Sequence, residues 1–200
     1  MSTRKPQDIR NIALLGHGGV GKTILAEAML HVAGATNRLG SVEDGSTVMD
    51  FTDIEKERKH SVDPAMAYFD YQGKTINLID APGYPDFIGG AIAAVSGADI
   101  AIIVISAQAG IEVNTRKMFE LAGREHLPRA IVINKIDAEN VDLASLLEAI
   151  IETFGSSVKC ANLPVKKEGK VIDCFTTDTG QADIGDVAKM HTDLLESVIE

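Results

Sequence analysis

A glycine-rich run that ends in lysine and threonine lies near the beginning of the chain and could bind phosphate. It fits the pattern G-x-x-x-x-G-K-S/T and consists of Gly16, His17, Gly18, Gly19, Val20, Gly21, Lys22 and Thr23. Glycines let successive backbone N–H groups turn toward phosphate oxygens, and a following helix directs its positive end at them. We expect Lys22 to reach the β- and γ-phosphates of a nucleotide and the Thr23 hydroxyl to bind Mg²⁺. The alternative is a glycine-rich turn with a chance lysine.

A second motif, Asp80-Ala81-Pro82-Gly83, follows an apolar run and could lie beside the same phosphates. A carboxylate at the end of a neighbouring strand can hold Mg²⁺, usually through water, and we assign this role to Asp80. Gly83 lets its backbone N–H approach a γ-phosphate, because no side chain stands in the way. On its own the motif is a common turn, but its position downstream of the phosphate loop favours the functional interpretation. The nucleotide site would then include Asp80, Ala81, Pro82, Gly83 and Tyr84.

A third motif, Asn134-Lys135-Ile136-Asp137, could select the base of the nucleotide. The carboxylate of Asp137 can accept hydrogen bonds from N1–H and the 2-amino group of guanine, whereas adenine offers no such pair. The aliphatic stem of Lys135 can cover the flat face of the base, and Asn134 can tie this loop to the phosphate loop. The three motifs in this order predict a site for GTP and GDP, and Asp137 argues against an ATPase.

Each motif follows a run of residues whose composition predicts a buried strand. Strands are predicted at Ile12–Leu15, Ala65–Tyr71, Thr75–Ile79, Ile100–Ile105 and Ala130–Ile133, and helices at Ile24–Val32, Val113–His126, Leu143–Phe154 and Asp186–Glu200. Strands that alternate with helices imply right-handed crossovers and a mainly parallel sheet covered on both faces. We therefore predict the α/β class, as a three-layer α/β/α P-loop NTPase with ligands at the carboxyl ends of the strands. The polar stretch Leu39–Val62 is predicted as a long, mobile loop.

The charge balance and the amino terminus exclude several other classes of function. Lys and Arg number 19 against 29 Asp and Glu, and the net charge of −10 argues against independent binding to DNA. Residues 1–10 are polar and form no secretory signal, and the longest apolar run is too short to span a membrane. Cys160 and Cys174 form no metal-ligand pattern, so we expect reduced thiols in a cytoplasmic protein.

The three motifs and the segments between them resemble elongation factor G, a translational GTPase. The match runs from Asn11 to about Glu200. Residues 57–62, E-R-K-H-S-V, align with the end of the family's first switch loop, E-R-G-I-T-I. In this alignment Ser61 occupies the position at which the family has a hydroxyl that contacts Mg²⁺ and the γ-phosphate. Residues 80–87, D-A-P-G-Y-P-D-F, are similar to the family's D-T-P-G-H-V-D-F, so that Tyr84 stands where the family has a histidine that places the attacking water.

The resemblance implies GTP hydrolysis, with Lys22 and Tyr84 as catalytic residues and Thr23, Ser61 and Asp80 as the metal ligands. It implies the ribosome as partner, and we expect a monomer. It also implies a GTP-binding core over residues 1–159 and, over residues 160–200, the truncated start of an insertion within the GTPase domain.

Two alternatives stay open. One is a regulatory module that switches shape but hydrolyses GTP weakly, because a phenol at position 84 is a poor proton acceptor at neutral pH. The other is a ribosomal-protection or release-factor-like GTPase.

Overall fold

A computed structural model describes residues 4–199 of the chain. The chain divides into two compact units, Met1–Lys135 and Ile136–Glu200. Met1 and Glu200, the outer limits of the predicted core and insertion, lie outside the described residues. The predicted boundary between residues 159 and 160 falls within the second unit, and it stays a prediction.

The first unit is built on a five-stranded sheet. Its strands are β1 (Ile9–Gly16), β2 (Ala65–Tyr71), β3 (Lys74–Asp80), β4 (Ile100–Ser106) and β5 (Arg129–Asn134). They lie in the order β2-β3-β1-β4-β5, and β2 runs antiparallel to β3 while the other neighbouring pairs are parallel. The mainly parallel sheet that the sequence predicts is confirmed. The parallel strands bring the ends of β1, β3, β4 and β5 to one edge of the sheet.

Helices pack on both faces of this sheet. The helices of the first unit are α1 (Lys22–Val32), α2 (Asp53–Arg58), α3 (Ile88–Ser96) and α4 (Val113–Arg124). Successive side chains of β1 point to opposite faces. Leu14 packs with Ala26 and Leu30 of α1, whereas Ala13 and Leu15 pack in a separate cluster with residues of α3 and α4. These two apolar clusters give the three layers that the sequence predicts.

The stretch predicted as a long, mobile loop contains the helix α2. We refer to residues 39–62 as the switch segment. Helix α2 begins with a capping box, in which the Thr52 hydroxyl accepts a hydrogen bond from the Glu55 N–H at 3.3 Å and the Glu55 carboxylate accepts one from the Thr52 N–H at 3.2 Å. The Glu55 side chain is buried, and its Oε1 also accepts hydrogen bonds from the backbone N–H groups of Val62 and Asp63.

A second buried carboxylate fixes the earlier part of the switch segment. Glu27 of α1 is fully buried, and its Oε1 accepts hydrogen bonds from the backbone N–H groups of Val48 at 2.6 Å and Met49 at 3.3 Å. Hydrogen bonds from backbone N–H groups to buried carboxylates thus hold this part of the chain in place, whereas most helices are held by an apolar face. The hydrophobic pattern of the sequence carries no sign of such anchors, which explains why α2 was not predicted.

The second unit contains α5 (Leu143–Phe154), the hairpin of β6 (Asn162–Val165) and β7 (Lys170–Asp173), and α6 (Val187–Ile199). Asp142 caps α5, because its Oδ1 accepts hydrogen bonds from the N–H groups of the first helical turn. A small core of Leu163, Cys174, Val187 and Leu194 joins the hairpin to α6. Across residues 4–199, no helix combines the length and apolar character needed to cross a membrane.

Candidate functional site

The phosphate loop connects β1 to α1, as the sequence predicts, and Lys22 is the first residue of the helix. The Lys22 side chain turns back into the loop, where its Nζ donates hydrogen bonds to the carbonyl oxygens of His17 at 2.8 Å and Gly16 at 3.4 Å. Burial lowers the pKa of Lys22, and the charge of Asp80 is the largest opposing effect. The ammonium therefore lies inside the loop, where the oxygens of a bound phosphate could replace the two carbonyl oxygens as its hydrogen-bond partners.

The three predicted metal ligands lie next to one another beside this ammonium. The Thr23 hydroxyl donates to Asp80 Oδ2 at 2.6 Å and lies 3.2 Å from the Ser61 hydroxyl. Ser61 in turn donates to Asp50 Oδ1 at 2.7 Å. Ser61 comes from the switch segment, so its approach to Thr23 joins that segment to the first turn of α1.

Two buried carboxylate oxygens in this cluster test whether Mg²⁺ fits. Asp80 Oδ1 and Asp50 Oδ2 are buried, and neither has a hydrogen-bond partner among the described residues. Burial raises the pKa of Asp80 to about 7, although the Thr23 hydroxyl and the Lys22 charge oppose the shift, and burial also raises the pKa of Asp50. Oxygen ligands of this kind are those that Mg²⁺ prefers, and its charge would compensate the carboxylates. The residues present therefore fit the ion.

The stability of the nucleotide-free protein should fall as the pH rises from about 4 to about 7. In this window the folded protein keeps the proton of Asp80, whose pKa is about 7, while the unfolded chain, with a pKa near 3.8, has lost it. Within this window the free energy of unfolding then decreases by about 1.4 kcal/mol for each unit of pH. Urea denaturation at a series of pH values would measure the decrease, and Asp80→Asn should flatten it.

The exposed Asp178 provides the control. Asp178→Asn should leave the pH dependence of the unfolding free energy as it is in the parent. An Asp80→Asn variant that loses stability with pH as steeply as the parent would contradict the raised pKa of Asp80.

The second motif packs directly against the phosphate loop. Asp80 ends β3, Ala81 is fully buried, and Gly83 lies so close to the loop that a Cβ built on it would come within 2.5 Å of the His17 carbonyl oxygen. Asn114 of α4 holds the other side of this turn, because its Nδ2 donates to the Gly83 carbonyl oxygen at 2.8 Å. Pro82 and Tyr84 flank Gly83 in the chain.

Adding one methyl group at Gly83 should weaken the binding of GTP. The new Cβ would collide with the backbone of His17 and with the Lys22 ammonium, and overpacking of this kind costs about 1–3 kcal/mol. The dissociation constant of a non-hydrolysable GTP analogue should therefore rise for Gly83→Ala. Gly89, at the start of α3, is a matched control because a Cβ built there meets no atom within 4 Å. Equal affinities of the two variants would contradict the close packing at Gly83.

The third motif begins at the end of β5 and is bound to the phosphate loop. Asn134 Nδ2 donates to the Val20 carbonyl oxygen at 2.9 Å, and Lys135 Nζ donates to the Gly19 carbonyl oxygen at 2.8 Å. The first of these contacts is the tie that the sequence predicts for Asn134. Ile136 and Asp137 are the first residues of the second unit, where Ile136 is half-buried and Asp137 is exposed.

Residues 7–198 match the family described as the Elongation factor Tu GTP binding domain. The chain belongs to this family. The predicted resemblance to elongation factor G is confirmed, because its relatives include proteins named Elongation factor G 1 and Elongation factor G-like protein.

Two curated relatives and one solved structure illustrate the relationship. The Elongation factor G-like protein of Mycobacterium tuberculosis (strain CDC 1551 / Oshkosh) is 39% identical over 80% of the chain and 22% of its own length. Ribosome-releasing factor 2, mitochondrial, of Culex quinquefasciatus is 37% identical over 82% of the chain and 22% of its own length. The crystal structure of ttk003000868 from Thermus thermophilus superposes with a TM-score of 0.83 at 35% identity, over 94% of the chain and 31% of that protein. The chain thus spans less than a third of these relatives.

The structure adds residues to the GTP-binding domain that the motifs do not contain. Asp50 bonds to Ser61, Asn114 bonds to Gly83, and the His60 ring contacts the Tyr84 ring. His60 lies within residues 57–62, which the sequence aligns with the end of the first switch loop, so the resemblance offered a signal for its neighbourhood. Asp50 lies in the stretch that the sequence predicts as a mobile loop. Asn114 lies at the start of a helix 31 residues from its partner, and no sequence pattern points to it.

Proposed function

We propose that this domain binds GTP and GDP together with Mg²⁺, and that the full-length protein hydrolyses GTP on the ribosome. The observation that carries the proposal is the chain of contacts from Thr23 to Asp80 and Ser61 beside the Lys22 ammonium. These groups supply the cation for the phosphates and the oxygen ligands for the metal that a nucleoside triphosphate requires. Titration of the purified chain with labelled GDP tests the binding step, and the absence of saturable binding would refute it.

Each group has a role in this proposal. The phosphates lie in the loop of residues 16–23, whose backbone N–H groups and Lys22 ammonium neutralise their charge. Thr23, Ser61 and Asp80 would hold Mg²⁺, and Asp50 orients the Ser61 hydroxyl. A bound Mg²⁺ would supply positive charge to neutralise the phosphate oxygens.

The reaction is the attack of water on the γ-phosphorus, which breaks its bond to the β–γ bridging oxygen and releases GDP and phosphate. Phosphoryl transfer leaves the protein with little covalent chemistry, so that positioning and charge neutralisation supply the rate. We assign the backbone N–H of Gly83 to the γ-phosphate and the Tyr84 hydroxyl to the water. A phenol can orient water by a hydrogen bond without accepting its proton.

A regulatory switch with weak hydrolysis is the second candidate, and Tyr84 is the observation that favours it. Single-turnover GTP cleavage by the full-length protein, measured with and without ribosomes, separates the two candidates. Stimulated cleavage supports the GTPase, and cleavage that ribosomes leave unchanged supports the regulatory switch.

The Tyr84 variants should show how the water is held. If the phenol orients the water, Tyr84→Phe should slow ribosome-stimulated cleavage by about 10²-fold or more, and Tyr84→His should be nearly neutral. Single-turnover rates of the parent and both variants provide the measurement. A Phe variant as active as the parent would exclude the water-orienting role.

The partner and the location follow from the same proposal. We assign a ribosomal partner, a cytoplasmic location and a monomeric state. Support for the ribosomal partner comes from relatives named as elongation, ribosome-releasing and peptide chain release factors. Co-sedimentation of the full-length protein with ribosomes in the presence of a GTP analogue provides the test, and a protein that stays in the supernatant would contradict the assignment.

A further inference from the structure

The turn at Gly83 lies between β3, which ends at Asp80, and a short 3₁₀ helix that begins at Pro85. On one side it packs against the backbone of His17 in the phosphate loop. On the other side the Gly83 carbonyl oxygen accepts the hydrogen bond from Asn114 Nδ2 at 2.8 Å. Within residues 4–199 this is the one hydrogen bond that the backbone groups of Gly83 make. The direction of those groups therefore depends on Asn114.

A glycine at this position needs such a restraint. Gly83 has no Cβ, so its own sterics leave many backbone conformations open to it. An N–H group stabilises a bound charge most when it already points at that charge, because no reorganisation is then required. A contact that restricts the Gly83 backbone should therefore raise the affinity for any ligand that reaches the Gly83 N–H.

Asn114 is placed by the buried face of α4. Met118 and Ala122 follow it at intervals of four residues and are buried in the apolar cluster under the sheet, so the three side chains share one face of the helix. Asn114 is 4% exposed, and its Oδ1 is buried with no hydrogen-bond partner among residues 4–199. Burying an unpartnered amide oxygen costs free energy, so stability alone does not account for an asparagine on this face.

The start of α4 also contacts the phosphate loop. Glu112, the residue that precedes the helix, has its Oε1 3.4 Å from Nε2 of His17. His17 supplies the backbone against which Gly83 packs and a carbonyl oxygen to which the Lys22 ammonium donates. The contact restricts movement of the helix start relative to the loop, so that Asn114 holds Gly83 in a defined place beside the phosphates.

We propose that Asn114 is a positioning residue that acts through Gly83 and adds affinity for GTP but not for GDP. By holding the Gly83 carbonyl oxygen, it keeps the N–H of the same residue directed at the γ-phosphate. GDP has no γ-phosphate, so its binding does not depend on this contact. The inference rests on the assignment of the Gly83 N–H to the γ-phosphate in the proposed function.

The test measures the dissociation constants of GDP and of a non-hydrolysable GTP analogue, both with Mg²⁺, for the purified chain. Asn114→Leu and Asn114→Ala both remove the donor, and only the first refills the space. Each should weaken binding of the analogue about tenfold, the effect of one ordinary hydrogen bond, while the affinity for GDP changes by less than about twofold. An effect on folding would instead lower both affinities alike.

Thr115→Val is the matched control. Thr115 is the next residue of α4, it is fully buried, and its Oγ1 has no hydrogen-bond partner within residues 4–199. Valine has nearly the same shape, so this variant changes a buried polar group in the same helical turn without touching the Gly83 contact. Both dissociation constants should equal those of the parent.

A second measurement reports the contact itself. Gly83-Tyr84 is the only Gly-Tyr pair in the sequence, so a chain labelled with carbonyl-¹³C glycine and ¹⁵N tyrosine gives one ¹³C–¹⁵N coupled resonance. Its carbon is the carbonyl that accepts the hydrogen bond from Asn114. Asn114→Leu should shift this resonance, and Thr115→Val should not.

The outcomes distinguish the inference from the function on which it rests. A parent chain that binds neither nucleotide would refute the proposed function, and the carbonyl resonance would still test the contact. The inference is overturned if both Asn114 variants bind the analogue as tightly as the parent does. It is also overturned if they weaken GDP as much as the analogue, or if the carbonyl resonance does not respond to Asn114→Leu.

Discussion

The Asp137→Asn variant should bind xanthosine nucleotides in preference to guanosine nucleotides. An amide at this position offers a donor where the carboxylate only accepts, and xanthine presents a carbonyl oxygen where guanine presents its amino group. Each hydrogen bond to a charged group contributes about 1.5–3 kcal/mol, so the loss of two from guanine amounts to about 3–6 kcal/mol. Dissociation constants for GDP and XDP, measured for the parent and the variant, would show the exchange.

The exposed Glu139, two residues further along, offers a matched change of charge. Glu139→Gln should keep the preference of the parent for GDP. An Asp137→Asn variant that still prefers GDP would show that another residue selects the base.

The Lys22→Ala variant should lose most of its affinity for GTP and GDP while keeping its fold. Its ammonium is the buried cation of the phosphate loop, and its hydrogen bonds to two phosphates should contribute about 3–6 kcal/mol to nucleotide binding. Calorimetric titration with both nucleotides would measure the loss, and circular dichroism would report the fold. Lys117→Ala, at an exposed position of α4, should leave both affinities unchanged.

The stability of Lys22→Ala without nucleotide distinguishes a loss of nucleotide binding from a folding defect. Lys22 is desolvated in the nucleotide-free protein, so its removal takes away a costly buried charge as well as two hydrogen bonds to carbonyls. We therefore expect little change in the unfolding midpoint without nucleotide. Nucleotide affinity equal to that of the parent, in a variant with an unaltered spectrum, would remove Lys22 from the site.

The fold could be predicted because its signals are local. The apolar runs that became β1, β4 and β5 are continuous in sequence, the pattern that predicts strands in a parallel sheet, and β1 and β5 are followed directly by the phosphate loop and by Asn134-Lys135-Ile136-Asp137. Helix α2 was missed for the opposite reason. Its order depends on the capping box of Thr52 and on hydrogen bonds to the buried Glu55, and neither produces a hydrophobic period.

The same distinction holds for the candidate site. The phosphate loop is contiguous in sequence, so its residue types and spacing were enough to predict where Lys22 and Thr23 would lie. Asn114 and Asp50 enter the site through contacts across the fold, and a lone asparagine or aspartate carries no pattern before the fold is known. The contact between His60 and Tyr84 likewise needed the structure, because each belongs to a different motif.

The way in which the switch segment is anchored determines what its release would cost. Of its larger apolar side chains, Leu39, Val48, Phe51 and Ile54 are already about half or more exposed to water, Val42 and Val62 are partly buried, and Met49 is buried in the core. Opening the segment would therefore hydrate carboxylates and amides more than hydrocarbon. Hydration of apolar surface is what gives unfolding its large heat capacity, so this opening should carry a small one. The free-energy difference between the closed and open segment would then vary almost linearly with temperature, because a small heat capacity leaves the enthalpy of opening nearly constant.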